Sequence, residues 1–130
     1  MMRGAALVAV LTLVGCSGTT GRLERAEADE LAATFAGRTA GAPVDCVDTN
    51  NAGGSFRAVG GTLVFDRAGR LYRNDPVDGC PFLHGDPIVV VEAYGSRVCR
   101  NDRFRTISRG TTIPSAYCRF GAFTPYERSR

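Results

Sequence analysis

The chain has 130 residues, five cysteines, one histidine and a formal net charge of +3, and every one of its 16 basic residues is Arg. A single His leaves too few ligands of the usual kind for a zinc site. The four cysteines after Cys16 lie 34, 19 and 19 positions apart with no Cys-x-x-Cys pair, which excludes thioredoxin-type redox chemistry as well.

The amino terminus has the layout of a secretory signal. Arg3 precedes an apolar run of about a dozen residues, too short to span a hydrocarbon core of ~30 Å, and no stop-transfer charges follow. The run ends in Leu13-Val14-Gly15-Cys16, a lipobox in form. Its chemistry requires a thiol that diacylglycerol can alkylate, and small residues before it for the peptidase. The expected processing is therefore a signal peptide over 1–15, cleavage before Cys16, and a lipidated tether over 16–21. Two or more fatty acyl chains of the palmitate class anchor a protein stably without spanning the bilayer. Ser17, in place of the Asp that marks inner-membrane retention, favours the outer membrane of a Gram-negative cell, with the domain facing the periplasm. Loss of Arg3 with the leader lowers the net charge from +3 to +2.

Assigning Cys16 to lipid leaves Cys46, Cys80, Cys99 and Cys118, an even set suited to disulfides in an oxidising compartment. A folded part of about 85 residues has a core that is marginal alone, so such staples are expected. Four cysteines allow three pairings, and the sequence does not choose among them. The nested pairing Cys46–Cys118 with Cys80–Cys99 is carried forward as the expectation; its closures would contribute roughly 4 and 3 kcal/mol.

Ser17 to Gly21 reads as flexible. Over 22–37 the pattern is that of one short amphipathic helix, with Ala28, Leu31, Ala32 and Phe35 as its apolar stripe and Gly37 as its stop. From 43 to 126 the periodicity is that of short strands. Val44–Val47, Thr62–Phe65, Arg70–Arg73, Ile88–Tyr94, Val98–Arg100, Phe104–Ile107 and Tyr117–Phe120 are the candidates. Asp66-Arg67-Ala68-Gly69 should close a hairpin, and the β-branched Ile88–Tyr94 run should be central. The expected fold is mainly β: a small disulfide-stapled antiparallel barrel or sandwich preceded by the helix. Leu71-Tyr72-Arg73-Asn74-Asp75 echoes Val98-Cys99-Arg100-Asn101-Asp102, which common turn chemistry explains better than duplication.

His84 beside Asp86 is the nearest thing to an acid–base pair, in a Gly- and Pro-rich loop where a solvated His is the plainer reading. No nucleophile elbow and no phosphate-binding Gly loop is present, and Asp75, Asp78 and Asp86 miss the ligand pattern of an EF-hand. No catalytic residue, cofactor or metal is expected. From Arg97 to Arg130 eight Arg face only Asp102 and Glu127. Arg97, Arg100, Arg103, Arg105 and Arg119 are thus candidate contacts for an anionic surface or polymer, although a solvated basic face accounts for them more simply. Aromatic residues interleave with these Arg, but an exported protein seldom meets nucleic acid, and none is expected as a partner.

The blocks Gly41-Ala42-Pro43-Val44-Asp45-Cys46, Gly79-Cys80-Pro81, Val98-Cys99-Arg100-Asn101-Asp102 and Cys118-Arg119-Phe120-Gly121-Ala122-Phe123-Thr124-Pro125-Tyr126 together resemble a group of small, uncharacterised Gram-negative envelope lipoproteins. The resemblance runs from Gly37 to Tyr126; it implies a four-cysteine framework and carries over no activity. The leading expectation is a non-enzymatic envelope lipoprotein with a structural or binding domain. Its alternative is an inhibitor or sequestering module for an envelope-targeting enzyme or ligand. Lysozyme fits that role poorly, since a basic enzyme would be repelled by the Arg-rich carboxyl-terminal third. A hydrolase built on His84 comes last.

Overall fold

A computed structural model describes residues 18–50 and 55–130; the leader, the lipobox and Cys16 lie outside the described residues. The described residues open with helix α1 (Gly18–Phe35). Ten strands follow: β1 (Arg38–Ala40), β2 (Cys46–Asp48), β3 (Phe56–Val59), β4 (Thr62–Arg67), β5 (Arg70–Asn74), β6 (Ile88–Val91), β7 (Arg97–Cys99), β8 (Arg103–Ile107), β9 (Cys118–Arg119) and β10 (Phe123–Arg128). A 3₁₀ turn at Pro81–Leu83 precedes β6. Among the described residues the strands form three antiparallel sheets, ordered β1-β10-β5-β4-β3, β2-β7 and β6-β8-β9, with no closed barrel.

The local chemistry explains the hairpins. Val59 pairs with Thr62 across Gly60-Gly61, both at positive φ (49° and 74°), and Arg67 pairs with Arg70 across Ala68-Gly69 at 51° and 82°. Two central residues with positive φ make the type I′ turn whose twist matches the strands it joins. Thr62 to Phe65 are all buried because the sheet is covered on both faces. On one face lie Leu63 and Phe65, with Ala58 and Phe123, packed against Val47, Val98, Phe104 and Cys118 from the smaller sheets and against Leu83 and Phe120 from the loops. Phe104 and Phe120 have ring centroids 4.7 Å apart, and Phe120 and Phe123 5.7 Å. Each fully buried Phe contributes about 1.5–3 kcal/mol, so this aromatic row forms the centre of the core. On the other face Val59, Val64 and Leu71 meet Leu31 and Phe35 of α1, and the tilted rings of Phe35 and Tyr126 have centroids 4.3 Å apart.

Buried Asn74, at the end of β5, ties the last loop to this frame. Its Nδ2 donates to the Gly121 carbonyl at 2.8 Å and to that of Ala122 at 3.3 Å, while the Gly121 N–H donates to Oδ1 at 2.9 Å. A Cβ at Gly121 would stand 2.1 Å from the Asp75 carbonyl oxygen, so the close approach requires glycine there. Asn101, its counterpart in the sequence echo, is exposed at φ 71° in the turn after β7. The two Asn-Asp pairs do unrelated work.

Several expectations need correction. The disulfides are Cys46–Cys99 and Cys80–Cys118, interlaced where the nested pair Cys46–Cys118 and Cys80–Cys99 was expected. Strand pairing decides this: Cys46 lies directly opposite Cys99 in β2–β7. The flanking positions carry the ladder bonds, with the Arg100 N–H donating to the Asp45 carbonyl at 2.6 Å and the Thr49 N–H to Ser96 at 2.8 Å. That leaves the two cysteines at a non-hydrogen-bonded site, where side chains stand closest. Residues 18–21, expected to belong to the tether, are the first turn of α1. In the helix Ala28 and Ala32 are exposed, and Glu27, Leu31, Thr34 and Phe35 turn toward the sheet. Gly37 does stop the helix, at φ 68°. The β region extends past 43–126, because Arg38–Ala40 pairs with Tyr126–Arg128. Finally, β6 is not central. It is an edge, paired only with β8, and Ile88 is exposed.

Candidate functional site

Two constellations stand out, and the first lies where α1 meets the loop after the 3₁₀ turn. At Gly60 a Cβ would come within 2.9 Å of the Glu27 Cβ, so a bare turn lets the helix settle this close. Glu27 is thereby carried under the loop. Its Oε2 lies 2.7 Å from His84 Nδ1, and its Oε1 accepts from the Gly85 N–H at 3.1 Å. The Glu27 side chain is 12% exposed against 49% for His84. Burial pushes the Glu27 carboxyl up, but the hydrogen bonds from His84 and Gly85, with the attraction of the imidazole, outweigh it and hold the group below its ordinary value. Beside this junction runs an open groove of about 440 Å³ lined by Leu23, Glu27, Arg57, Gly60 and Asp86, among others. Arg57 bridges back to the helix, donating to Glu30 at 3.2 Å and to Thr34 Oγ1 at 3.1 Å.

The second constellation is the outer face of the β6-β8-β9 sheet. Phe104 and Thr106 point into the core, so alternation turns Arg103, Arg105 and Ile107 outward. Tyr117 lies beneath both guanidinium groups, with ring-centre distances of 4.7 Å to Arg103 and 4.6 Å to Arg105, a cation–π arrangement. The phenol donates to Glu92 Oε1 at 2.5 Å, and Arg105 donates to the same oxygen at 3.2 Å. The Tyr117 hydrogen bond holds the Glu92 carboxyl low against some desolvation, with Arg105 and Arg103 adding to it. The same bond raises the phenol of Tyr117. Two Arg and one carboxylate leave this cluster with a single net positive charge.

The candidate anionic contacts therefore divide. Arg103, Arg105 and Arg119 share one face, Arg103 and Arg119 being cross-strand partners, and Arg119 also pairs with Asp78 at 3.3 Å. Arg97 belongs to the β2-β7 sheet opposite Asp48, and Arg100 lies in the turn beyond it. The five are thus divided between two sheets and the turn after β7. His84 does not pair with Asp86: its partner is Glu27, and Asp86 instead accepts from Arg109 Nε at 2.9 Å. Asp75 accepts from Thr62 at 2.7 Å and from Arg73 at 2.9 Å, so the three loop Asp have three separate sets of partners. Among the described residues no group of three His, Cys, Asp or Glu is placed to hold a metal.

Sequence reasoning missed Glu27, Glu92 and Tyr117. The first carries no local signal, since no sequence periodicity connects it to a residue 57 positions away. No family model, curated protein or solved structure matches the chain.

Proposed function

We propose that the chain is an outer-membrane lipoprotein, anchored at Cys16, whose β domain faces the periplasm and has a structural or binding role and no catalytic one. The observation that carries this is cysteine usage. Four of the five cysteines pair with one another in the domain, and the fifth stands at the end of the lipobox Leu13-Val14-Gly15-Cys16. Disulfides of this kind persist in oxidising compartments, which agrees with export. The non-catalytic part draws support from the loop residues best suited to chemistry, since His84, Asp75, Asp78 and Asp86 are each engaged with a neighbour in the fold. The two core-lining layers read best as an open sandwich, and the four-cysteine framework is the feature shared with the envelope lipoproteins the sequence resembles.

The test is the intact mass of membrane-extracted protein after thiol alkylation, with and without reduction. The expected result is a chain beginning at acylated Cys16 that takes up four alkyl groups only after reduction. A chain that still carries residues 1–15, or one with an unmodified Cys16 thiol, overturns the anchor.

A further inference from the structure

Six apolar residues, Leu23, Phe82, Ile88, Ile107, Ile113 and Pro114, collect at one end of the molecule. Leu23 is 49% exposed, Phe82 42%, Ile88 48% and Ile113 80%. Ile88, Ile107 and Pro114 occupy successive cross-strand positions on the outer face, so they form one row with Ile113 beside it. Phe82 lies at the same end on the other side of β8, its carbonyl accepting from the core-facing Thr106 Oγ1 at 3.1 Å. Leu23 joins from the helix side, lining the groove whose other wall is Gly85-Asp86, and Asp86 is fixed by Arg109 in the loop that carries Ile113.

This is also the end from which the chain leads back to Cys16. Helix α1 begins at Gly18, two positions after Cys16, a span of at most ~7 Å. At 1.5 Å of rise per residue, Leu23 then lies within about 15 Å of Cys16 and Glu27 within about 20 Å. A compact chain of this length has a radius of gyration of about 14 Å, so a lipid on Cys16 leaves the domain no room to stand clear of the surface that holds it. Apolar side chains in such a position enter the boundary between headgroups and acyl chains. We infer that this end is an interfacial face: Leu23, Phe82, Ile88 and Ile113 rest on the phospholipid bilayer to which the chain is anchored. The inference depends on the Cys16 anchor and adds a second, non-covalent contact that fixes the orientation of the domain.

The chain contains no Trp, so a single Trp reports its own surroundings. Ile113 and Tyr94 suit the comparison, being comparably exposed at 80% and 83%. They follow the carboxyl ends of antiparallel β8 and β6, and so sit at opposite ends of that sheet. The full-length lipidated Ile113→Trp and Tyr94→Trp variants are reconstituted in phosphatidylcholine vesicles with a minority of phosphatidylglycerol, with and without brominated acyl chains, and flotation is recorded for each sample. The expected result is that both variants float, that Ile113→Trp shows blue-shifted emission quenched by brominated lipid, and that Tyr94→Trp shows neither. If both float and both are quenched alike, or neither is, the face is refuted while the anchor stands. A blue shift in Ile113→Trp that depends on protein concentration and ignores bromine assigns the face to a second copy and also refutes it. Failure to float removes the anchor, and the inference with it.

Discussion

Replacing Asn74 with Ala should remove more stability than any other single polar-to-Ala change in the domain. The side chain is 1% exposed and holds the Gly121 N–H, the Gly121 carbonyl and, at longer range, the carbonyl of Ala122. Truncation leaves at least two buried backbone groups without partners, at about 1–3 kcal/mol each, so the expected loss is about 3–5 kcal/mol. Against a total of about 5–15 kcal/mol for a domain of this size, that is a large fraction. With a urea slope of about 1–3 kcal/mol/M, the midpoint should fall by about 2 M at unchanged slope. The assay is equilibrium urea denaturation with the disulfides intact. Asn101→Gly is its control: Asn101 is exposed at φ 71°, a conformation glycine adopts freely, so its stability should stay within about 0.5 kcal/mol of wild type. A loss under about 1 kcal/mol for Asn74→Ala would refute the reasoning, because the loop groups would then have found water or other partners.

Non-reducing peptide mapping should yield Cys46–Cys99 and Cys80–Cys118, and removing the first bridge with paired Ser substitutions should cost roughly 4 kcal/mol for a closed loop of 53 residues. Glu27 has a folded-state pKa below its unfolded one. Its contribution is therefore present at neutral pH and is lost as pH falls through the folded-state value; stability measured from pH 7 to 3 should decline less steeply in Glu27→Gln than in wild type. Glu92→Gln should lower the Tyr117 phenol pKa, since the raising partner goes while Arg105 and Arg103 remain; an ultraviolet titration in which the tyrosine transition does not move to lower pH refutes the assigned hydrogen bond.

Where the sequence carried its own local signal, the reading held. The Asp66–Gly69 hairpin was visible because a turn with two positive φ angles demands particular residues, and β4, β5, β7 and β8 alternate or run apolar as strands do. Strand β10 was invisible because Pro125 interrupts it, although it pairs on both sides. Its missing N–H faces a position just beyond the end of β1, where Gly41 donates to the Pro125 carbonyl at 2.7 Å, so the ladder loses little. Strands β1 and β3 are short and exist through their partners. The Ile88–Val91 run revealed its strand propensity but not its rank in the sheet: Val89 and Val91 face the core, and the edge was set by which strand β8 met on its other side. At the candidate sites the basic cluster on β8 was legible from alternation. The carboxylate partners were not, because Glu27 and Glu92 reach their contacts only through tertiary packing.

The interlaced bridges have a consequence for proteolysis. Cys46–Cys99 and Cys80–Cys118 overlap in sequence, so every peptide bond between Cys46 and Cys118 lies inside at least one covalent loop. A single cut anywhere in that interval leaves both pieces attached until the disulfides are reduced. A cut between Gly18 and Asp45 is enclosed by no loop, and after it the helix and β1 stay with the domain only through non-covalent packing. Among the described residues, the stretch at which a protease can separate the amino terminus from the domain is therefore the helix, the short strand and the segment that leads to Cys46.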